Sequence, residues 1–102
     1  MKKPLQIYLE YEIKQSFHHQ YLQIMGNIIQ SLPQYDAMNI RWEKSEADSN
    51  RYIETFVVPT EAHFYALKRL RTSRCHLLFG LLDDCICGGL EEMKYIGLKK
   101  SS

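Results

Sequence analysis

Acidic, basic and aromatic side chains alternate with apolar ones along several short segments of the chain. In a β-strand, this alternation places every second side chain on the same face of a sheet. We expect one sheet face to gather Tyr8, Glu10, Glu12, Arg41, Glu43 and Glu54, with Tyr52, Phe56 and Tyr95 beside them. Carboxylates and a guanidinium in a partly dry, aromatic-lined space would suit the binding of a small polar or aromatic compound. Cross-strand ion pairs that satisfy one another are the alternative.

The histidines and cysteines do not form a recognisable motif. His18 and His19 are adjacent and would point about 100° apart on a helix, so they cannot both bind one metal ion well. His63 has no nucleophile near it in the sequence pattern, so a Ser–His or Cys–His pair is not supported. The thiols and the imidazole between residues 75 and 87 are separated by an apolar stripe, not by the short spacing of a zinc knuckle. We therefore expect Cys85 in the core and no bound metal.

A basic cluster is the third candidate, and it consists of Lys68, Arg69, Arg71 and Arg74. Such a cluster can bind a phosphate or a nucleic acid backbone. No aromatic residues are interleaved with it, and the net charge of the whole chain is only +1. We expect a solvated helix face and no nucleic acid partner.

The first half of the sequence predicts a strand, a helix and a second strand. Strict alternation from Leu5 to Lys14 predicts the first strand. Ser16 is a candidate N-cap for a helix whose apolar residues recur at three- and four-residue steps up to Leu32, and Pro33 ends it. A second alternating run places Met38, Ile40 and Trp42 opposite Asn39, Arg41 and Glu43.

The second half repeats the pattern after a polar turn at residues 45–50. Tyr52 to Val58 predicts a third strand, and Thr60 is a candidate N-cap for a second helix. That helix is expected to run to about Thr72, bend near Ser73 and continue to Cys87, where Gly88 and Gly89 stop it. Residues 93–99 predict a last strand. The order βαββαβ indicates an α+β, ferredoxin-like fold in which a four-stranded antiparallel sheet has helices on one face only.

Length and composition suit one domain over residues 1–102, because 45% of the 102 residues are hydrophobic and 25% are charged. No apolar run approaches the ~20 residues that span a bilayer, and the first residues lack the apolar region of a signal peptide. The three cysteines are an odd number, and Cys85 and Cys87 are too close for an ordinary disulfide. We expect a cytoplasmic protein with reduced thiols and no membrane partner.

The residues that carry a family resemblance lie in four segments: Tyr8 to Ile13, Arg41 to Glu43, Tyr52 to Phe56 and Glu61 to Tyr65. Through them the chain resembles the dimeric α/β barrel superfamily from Leu5 to Lys99. This superfamily includes antibiotic-biosynthesis monooxygenase-like proteins, haem-degrading monooxygenases and NIPSNAP-like domains. The resemblance implies a homodimer that pairs through the open sheet faces and, in some members, a small-ligand pocket.

The resemblance also raises the question of oxygenase chemistry. Oxygenase members typically carry an asparagine in the first strand, where this chain has Leu9 and Glu10, and a tryptophan and a histidine on the second helical segment, where Tyr65 and His76 stand nearby. The candidate ligand-binding residues are Tyr8, Glu10, Arg41, Glu54, Tyr65 and His76. We expect a small cytoplasmic homodimer that binds a small molecule in or beside the barrel, without a cofactor. The alternatives are a monooxygenase-like enzyme that binds haem through His76 and a structural homodimer without a ligand.

Overall fold

Four antiparallel strands and two α-helices follow the order βαββαβ in the computed structural model, which describes residues 3–99. The strands form one sheet in the order β2-β3-β1-β4, with both helices against the same side. The predicted α+β, ferredoxin-like fold is therefore confirmed. The elements are β1 (Leu5–Glu12), α1 (His18–Ser31), β2 (Met38–Lys44), β3 (Arg51–Val58), α2 (Glu61–Arg71) and β4 (Lys94–Lys99), with 3-10 helices at Gln15–Phe17, Leu32–Tyr35, Phe79–Asp84 and Leu90–Glu92.

The core forms between the sheet and the helices because β1 and α1 each present an apolar side to it. In β1 the buried residues alternate strictly, as the sequence predicted: Leu5, Ile7, Leu9 and Tyr11. In α1 the buried residues are Tyr21, Ile24, Met25 and Ile28, which recur at the three- and four-residue steps of one helix face. The opposite face of the sheet carries no helix within the described residues.

The ends of α1 differ slightly from the prediction. Ser16 lies inside a 3-10 turn, and the N-cap is Phe17, which makes no side-chain capping hydrogen bond. At the other end, Leu32 is the C-cap and Pro33 lies in the next 3-10 helix. Proline at the first positions of a helical turn is well tolerated because its missing N–H has no partner there.

The start of α2 is as predicted, but its length is not. The Thr60 side chain caps the helix by accepting a hydrogen bond from the backbone N–H of His63. The helix ends at Arg71, and the expected second segment to Cys87 is wrong: turns and a 3-10 helix fill it. Gly80 packs so tightly there that a Cβ atom would lie 2.4 Å from the carbonyl oxygen of Arg74. A side chain at this position would collide with the backbone, so the turns of this segment require glycine there, although the apolar spacing of the segment looks helical.

A β-bulge changes which side chains of β2 share a face. Met38 pairs with Val57 and Arg41 pairs with Thr55, so β2 holds one extra residue between the two pairs. Asn39 has a φ of 54°, in the left-handed region. The extra residue moves Met38 to the face that Arg41 occupies, and this corrects the expected grouping of Met38 with Trp42.

The side of the sheet that faces the helices holds several residues expected on the open face. Glu54 lies opposite Leu9, Tyr52 opposite Tyr11, and Phe56 opposite Ile7, and residues paired across strands share a face. Tyr95, on β4, is also opposite Leu9 and is buried. The expected single polar face is therefore wrong for Tyr52, Glu54, Phe56 and Tyr95, because pairing with the core residues of β1 turns them inward.

Candidate functional site

The open face of the sheet has an apolar end and a charged end. At the apolar end the cross-strand rows bring together Met38, Val57, Leu98 and Ile96, and three of these side chains are exposed. Over the whole open face three acidic residues lie among three basic ones, most of them toward the other end. These are Glu10, Glu12 and Glu43, and Arg41, Arg51 and Lys94.

The centre of the open face is a hydrogen-bonded cluster of Tyr8, Glu10 and Arg51. The Tyr8 hydroxyl donates to Glu10 Oε1 at 2.7 Å, and Arg51 Nε donates to Glu10 Oε2 at 2.7 Å. The Tyr8 hydrogen bond lowers the pKa of Glu10 most. Burial raises this pKa, but the charge of Arg51 lowers it again, so that it lies below its ordinary value. The same hydrogen bond is the main reason that the pKa of Tyr8 is raised. Both oxygens of this carboxylate are therefore satisfied within the chain, and Arg51 is a partner that the sequence reasoning missed.

A shallow groove of about 310 Å³ opens where the bulge interrupts the pairing of β2 and β3. Arg41 is exposed beside it and makes no ion pair with any described residue. An exposed guanidinium without a carboxylate partner offers its donors to a ligand oxygen. The lining residues are Gln6, Asn39, Ile40, Arg41, Thr55 and Val57.

Glu54 lies on the other side of the sheet, where it is buried and paired with Arg71. Arg71 Nη1 and Nη2 donate to the two carboxylate oxygens at 2.8 and 2.7 Å. Tyr11 donates to the same carboxylate at 2.5 Å. Burial works to lower the pKa of Arg71, but the charge and hydrogen bonds of Glu54 offset this, and its pKa is raised. The guanidinium is therefore permanently charged, and both of its Nη atoms already donate to Glu54.

The hydrogen-bonded group around Glu54 extends to the edge of α1. Tyr11 and Tyr21 share a hydrogen bond of 2.8 Å between their hydroxyl oxygens, and Trp42 Nε1 donates to Tyr21 at 2.9 Å. Burial is the first cause of the raised pKa of both tyrosines. Within the described residues only Arg71 Nε is a buried side-chain atom without a partner. The polar atoms here satisfy one another almost completely, so this group acts as a polar part of the core.

The candidates on and after α2 do not converge with the open face. Tyr65 is exposed and stands edge-on to Phe64, with ring centroids 5.0 Å apart. His76 stacks on Phe79 at 4.3 Å, and its Nδ1 atom accepts hydrogen bonds from the backbone N–H groups of Leu78 and Phe79 at 3.1 and 3.0 Å. An acceptor Nδ1 places the proton of a neutral imidazole on Nε2. A ligand to haem iron must offer a free nitrogen lone pair, so His76 as placed does not fit a haem site.

The basic cluster is divided by the fold. Arg71 points into the core, and Arg74 pairs with Asp83 at 3.4 Å and with Glu91. Of the four predicted residues, Lys68 and Arg69 are exposed and have no ion-pair partner among residues 3–99. The expected shared solvated face is wrong in this respect, because Arg71 is drawn inward by Glu54.

The three cysteines are free thiols in different environments. Cys85 is buried in the core, as predicted, and burial raises the pKa of its thiol. Cys75 is exposed and Cys87 is half-buried. Among residues 3–99 no three histidine, cysteine or acidic side chains come together as a metal site. Over the same range no helix is long and apolar enough to cross a membrane.

Solved structures of other proteins share this fold. A conserved protein from Methanosarcina mazei Go1 has a TM-score of 0.77 at 10% identity, over 98% of this chain and 95% of that one. A protein from Nitrosomonas europaea described as a "putative antibiotic biosynthesis monooxygenase" has a TM-score of 0.73 at 15% identity, over 98% and 92% of the two chains. A protein from Bacteroides thetaiotaomicron described as of unknown function, possible oxidoreductase, has a TM-score of 0.70 at 8% identity, over 98% and 100%. At these identities the likeness shows the fold alone.

The other two comparisons found nothing. No family model matches the chain. No curated protein matches it. The fold expected from the resemblance to monooxygenase-like proteins is thus confirmed through structure, while the activity is not assigned by any of these proteins.

Proposed function

We propose that this chain is a small-ligand-binding homodimer, in which two open sheet faces meet and enclose the groove at the Asn39 bulge. The observation that carries the proposal is Arg41, an exposed guanidinium beside that groove with no ion-pair partner among the described residues. The ligand class that fits is a small carboxylate, aliphatic or aromatic, because guanidinium and carboxylate match in charge and in bidentate geometry.

Two properties of the open face support the binding of a second copy of this chain to it. Met38, Ile96 and Leu98 are 53%, 44% and 61% exposed at one end of the face, and such a patch is stabilised when water is removed from it. The charged side chains on the face balance, with three of each sign. In a two-fold interface a face meets its own copy, so a balanced face avoids self-repulsion and can pair opposite charges. Relatives in the superfamily that the sequence resembles also pair through this face.

A cytoplasmic location forms part of the proposal. All three cysteines are free thiols, and the buried Cys85 is packed as an apolar core residue. Such thiols persist in a reducing compartment. Expression of the tagged protein in its native cells, followed by fractionation and detection of the tag, tests this location. Recovery of the tag in an oxidising compartment would contradict it.

Light scattering during size-exclusion chromatography tests the dimer. The unmodified protein is expected to have twice the mass of one chain at micromolar concentration. Replacing Ile96 and Leu98 together with lysine is expected to give monomers, because like charges would then face each other at the apolar end. The matched control is Leu77→Lys, since Leu77 is 91% exposed but lies in the turns after α2. A monomeric unmodified protein would refute the sheet-to-sheet pairing.

Nuclear magnetic resonance with benzoate and acetate tests the ligand. Binding is expected to shift the backbone signals of Gln6, Arg41 and Thr55, and Arg41→Gln is expected to weaken it at least tenfold through loss of the charge-assisted pair, worth about 1.5–3 kcal/mol. Lys44→Gln, on the same strand but outside the groove, serves as the control. Shifts confined to other surfaces, or none, would leave a homodimer without a ligand, which is the alternative interpretation.

A further inference from the structure

Three side chains from two separate segments form a hydrogen-bonded row at the start of α2. Thr60 Oγ1 lies 2.7 Å from His63 Nδ1, and His63 Nε2 lies 2.9 Å from Asp36 Oδ2. Asp36 follows the 3-10 helix Leu32–Tyr35, so the fold brings it to His63 across 27 residues of sequence. The sequence reasoning considered only serine and cysteine as nucleophiles for His63, so it missed Thr60, which stands close in the chain, and Asp36, which does not.

One assignment of the protons fits the donors and acceptors in this row and leaves His63 Nδ1 free to accept a proton. The Thr60 hydroxyl oxygen accepts a hydrogen bond from the backbone N–H of His63 at 3.2 Å. Its own O–H can then donate to His63 Nδ1, while the Nε2–H of the imidazole donates to the Asp36 carboxylate. This arrangement gives each of the three contacts one donor and one acceptor. It has a hydroxyl nucleophile, an imidazole base and a carboxylate that orients the base, which are the three roles of nucleophilic acyl transfer.

The row is open to solvent and held by the backbone. The side chains of His63 and Asp36 are 33% and 64% exposed and Thr60 is half-buried, so a small substrate can approach the row from the side of the imidazole. Thr60 is the N-cap of α2 and is fixed by its capping bond. Asp36 has a φ of 66°, a left-handed conformation that aspartate adopts more readily than most residues, and its N–H donates to the carbonyl oxygen of Pro33. These backbone contacts fix the positions of Thr60 and Asp36 on either side of the His63 imidazole.

We propose that Thr60, His63 and Asp36 form an acyl-transfer site that hydrolyses small activated esters, separate from the ligand site on the open face. Thr60 Oγ1 attacks the carbonyl carbon of the ester, and its proton passes to His63 Nδ1. The bond from carbon to the leaving oxygen breaks, and the departing alkoxide or phenoxide takes that proton from His63 and leaves as the alcohol or phenol. Water then attacks the acylated Thr60 with the same base, which releases the carboxylic acid and restores the hydroxyl.

The helix itself supplies donors for the oxyanion. The first N–H groups of an α-helix have no acceptor within the helix, and they carry the positive end of its dipole. The N–H groups of Glu61 and Ala62 are the first of α2 and stand next to Thr60 in the chain. Donors of this kind stabilise the negative charge that develops on the carbonyl oxygen during attack.

The experiment incubates the full chain with p-nitrophenyl acetate, measures release of nitrophenol and maps the acetyl group by mass spectrometry of peptides. We expect turnover with acetyl on Thr60. Thr60→Val and His63→Gln are each expected to lower the rate by about 10²-fold, as for loss of a nucleophile or a general base. Thr60→Ser should retain both activity and cap. The matched control is Thr72→Val, because the Thr72 hydroxyl, near the other end of α2, donates to the carbonyl oxygen of Lys68 and has no imidazole beside it.

Two results would overturn the proposal. In the first, Thr60→Val and His63→Gln hydrolyse the ester as fast as the unmodified protein. In the second, acetyl is found on lysines but not on Thr60 in either the unmodified protein or Thr60→Ser. The row would then be a helix cap joined to an ion pair. Circular dichroism shows whether each variant is folded. If Thr60→Val does not fold, His63→Gln still tests the proposal, because it keeps the capping hydroxyl of Thr60.

Discussion

At the scale of single residues, Glu54 changes role between the sequence and the folded chain. Its neighbours in the alternating run are aromatic and polar, so the pattern is compatible with either face of the sheet. Arg71 favours the buried face for Glu54, because it comes 17 residues later and forms a buried, bidentate ion pair with the Glu54 carboxylate. A buried charge is tolerated only with such a partner. Pairing over that distance cannot be deduced from local periodicity.

Breaking this pair is expected to destabilise the protein strongly. Glu54→Leu leaves the Arg71 charge buried without a partner, and we expect a loss of about 3–5 kcal/mol in the free energy of unfolding. The double variant Glu54→Leu with Arg71→Met removes both charges and is expected to recover much of that loss. Urea unfolding measures both. Glu46→Ala, an exposed site in the turn between β2 and β3, is the control and should change stability by less than about 0.5 kcal/mol. A single variant as stable as the control would contradict the buried pair.

Tyr11 gives the protein a dependence on alkaline pH. Burial first, and then the charge of Glu54, raise the pKa of Tyr11 well above its ordinary value. In the unfolded chain this hydroxyl ionises near pH ~10. Because the folded state holds the proton and the unfolded state releases it, the stability that Tyr11 contributes is fully present below that pH and is lost progressively as the pH rises from there toward the raised pKa of the folded state. The free energy of unfolding, measured with denaturant from neutral to alkaline pH, should therefore fall more steeply for the unmodified protein than for Tyr11→Phe. Equal slopes would argue against this role.

At the scale of elements, the alternation of β1, the apolar face of α1 and the Thr60 cap were predicted from sequence because each depends on neighbouring residues. The features that were missed depend on other parts of the chain. The bulge at Asn39 is defined only against β3, and the turns after α2 bring Gly80 against the backbone of Arg74, a contact that helical spacing does not indicate. The candidate site follows the same division: Arg41 and Glu10 lie on the predicted face, while Arg51 was found only through its contact with Glu10.

Two glycines in different elements should respond in opposite directions to the same substitution. A Cβ atom at Gly97 in β4 would lie 2.4 Å from the ring of Phe64, which packs on Tyr95 with centroids 5.1 Å apart. We expect Gly97→Ala to destabilise the protein by about 1–3 kcal/mol through overpacking. At Gly26 in α1 a Cβ atom would meet nothing within 4 Å. Gly26→Ala is therefore expected to stabilise the helix by up to about 1 kcal/mol. Thermal unfolding compares the two, and a Gly97→Ala variant of unchanged stability would mean that Phe64 moves aside freely.

At the scale of the whole molecule, the proposed dimer makes stability depend on protein concentration. Association of folded chains shifts the folding equilibrium by mass action. The melting temperature of the unmodified protein is expected to rise with concentration, and that of the Ile96→Lys and Leu98→Lys double variant is expected to stay constant. Differential scanning calorimetry over a hundredfold range of concentration measures this. A melting temperature independent of concentration for the unmodified protein would count against the dimer.

The bulge at Asn39 also bears on how assembly stops. β2 is at one edge of the sheet, where unpaired N–H and C=O groups can serve as a template for strands of other chains. A bulge twists such an edge and interrupts the regular spacing that a docking strand needs. In the proposed dimer a second copy covers the apolar end of the open face, while the irregular β2 edge gives a third chain no regular ladder to extend. The same feature that shapes the groove beside Arg41 thus works against growth into fibrils.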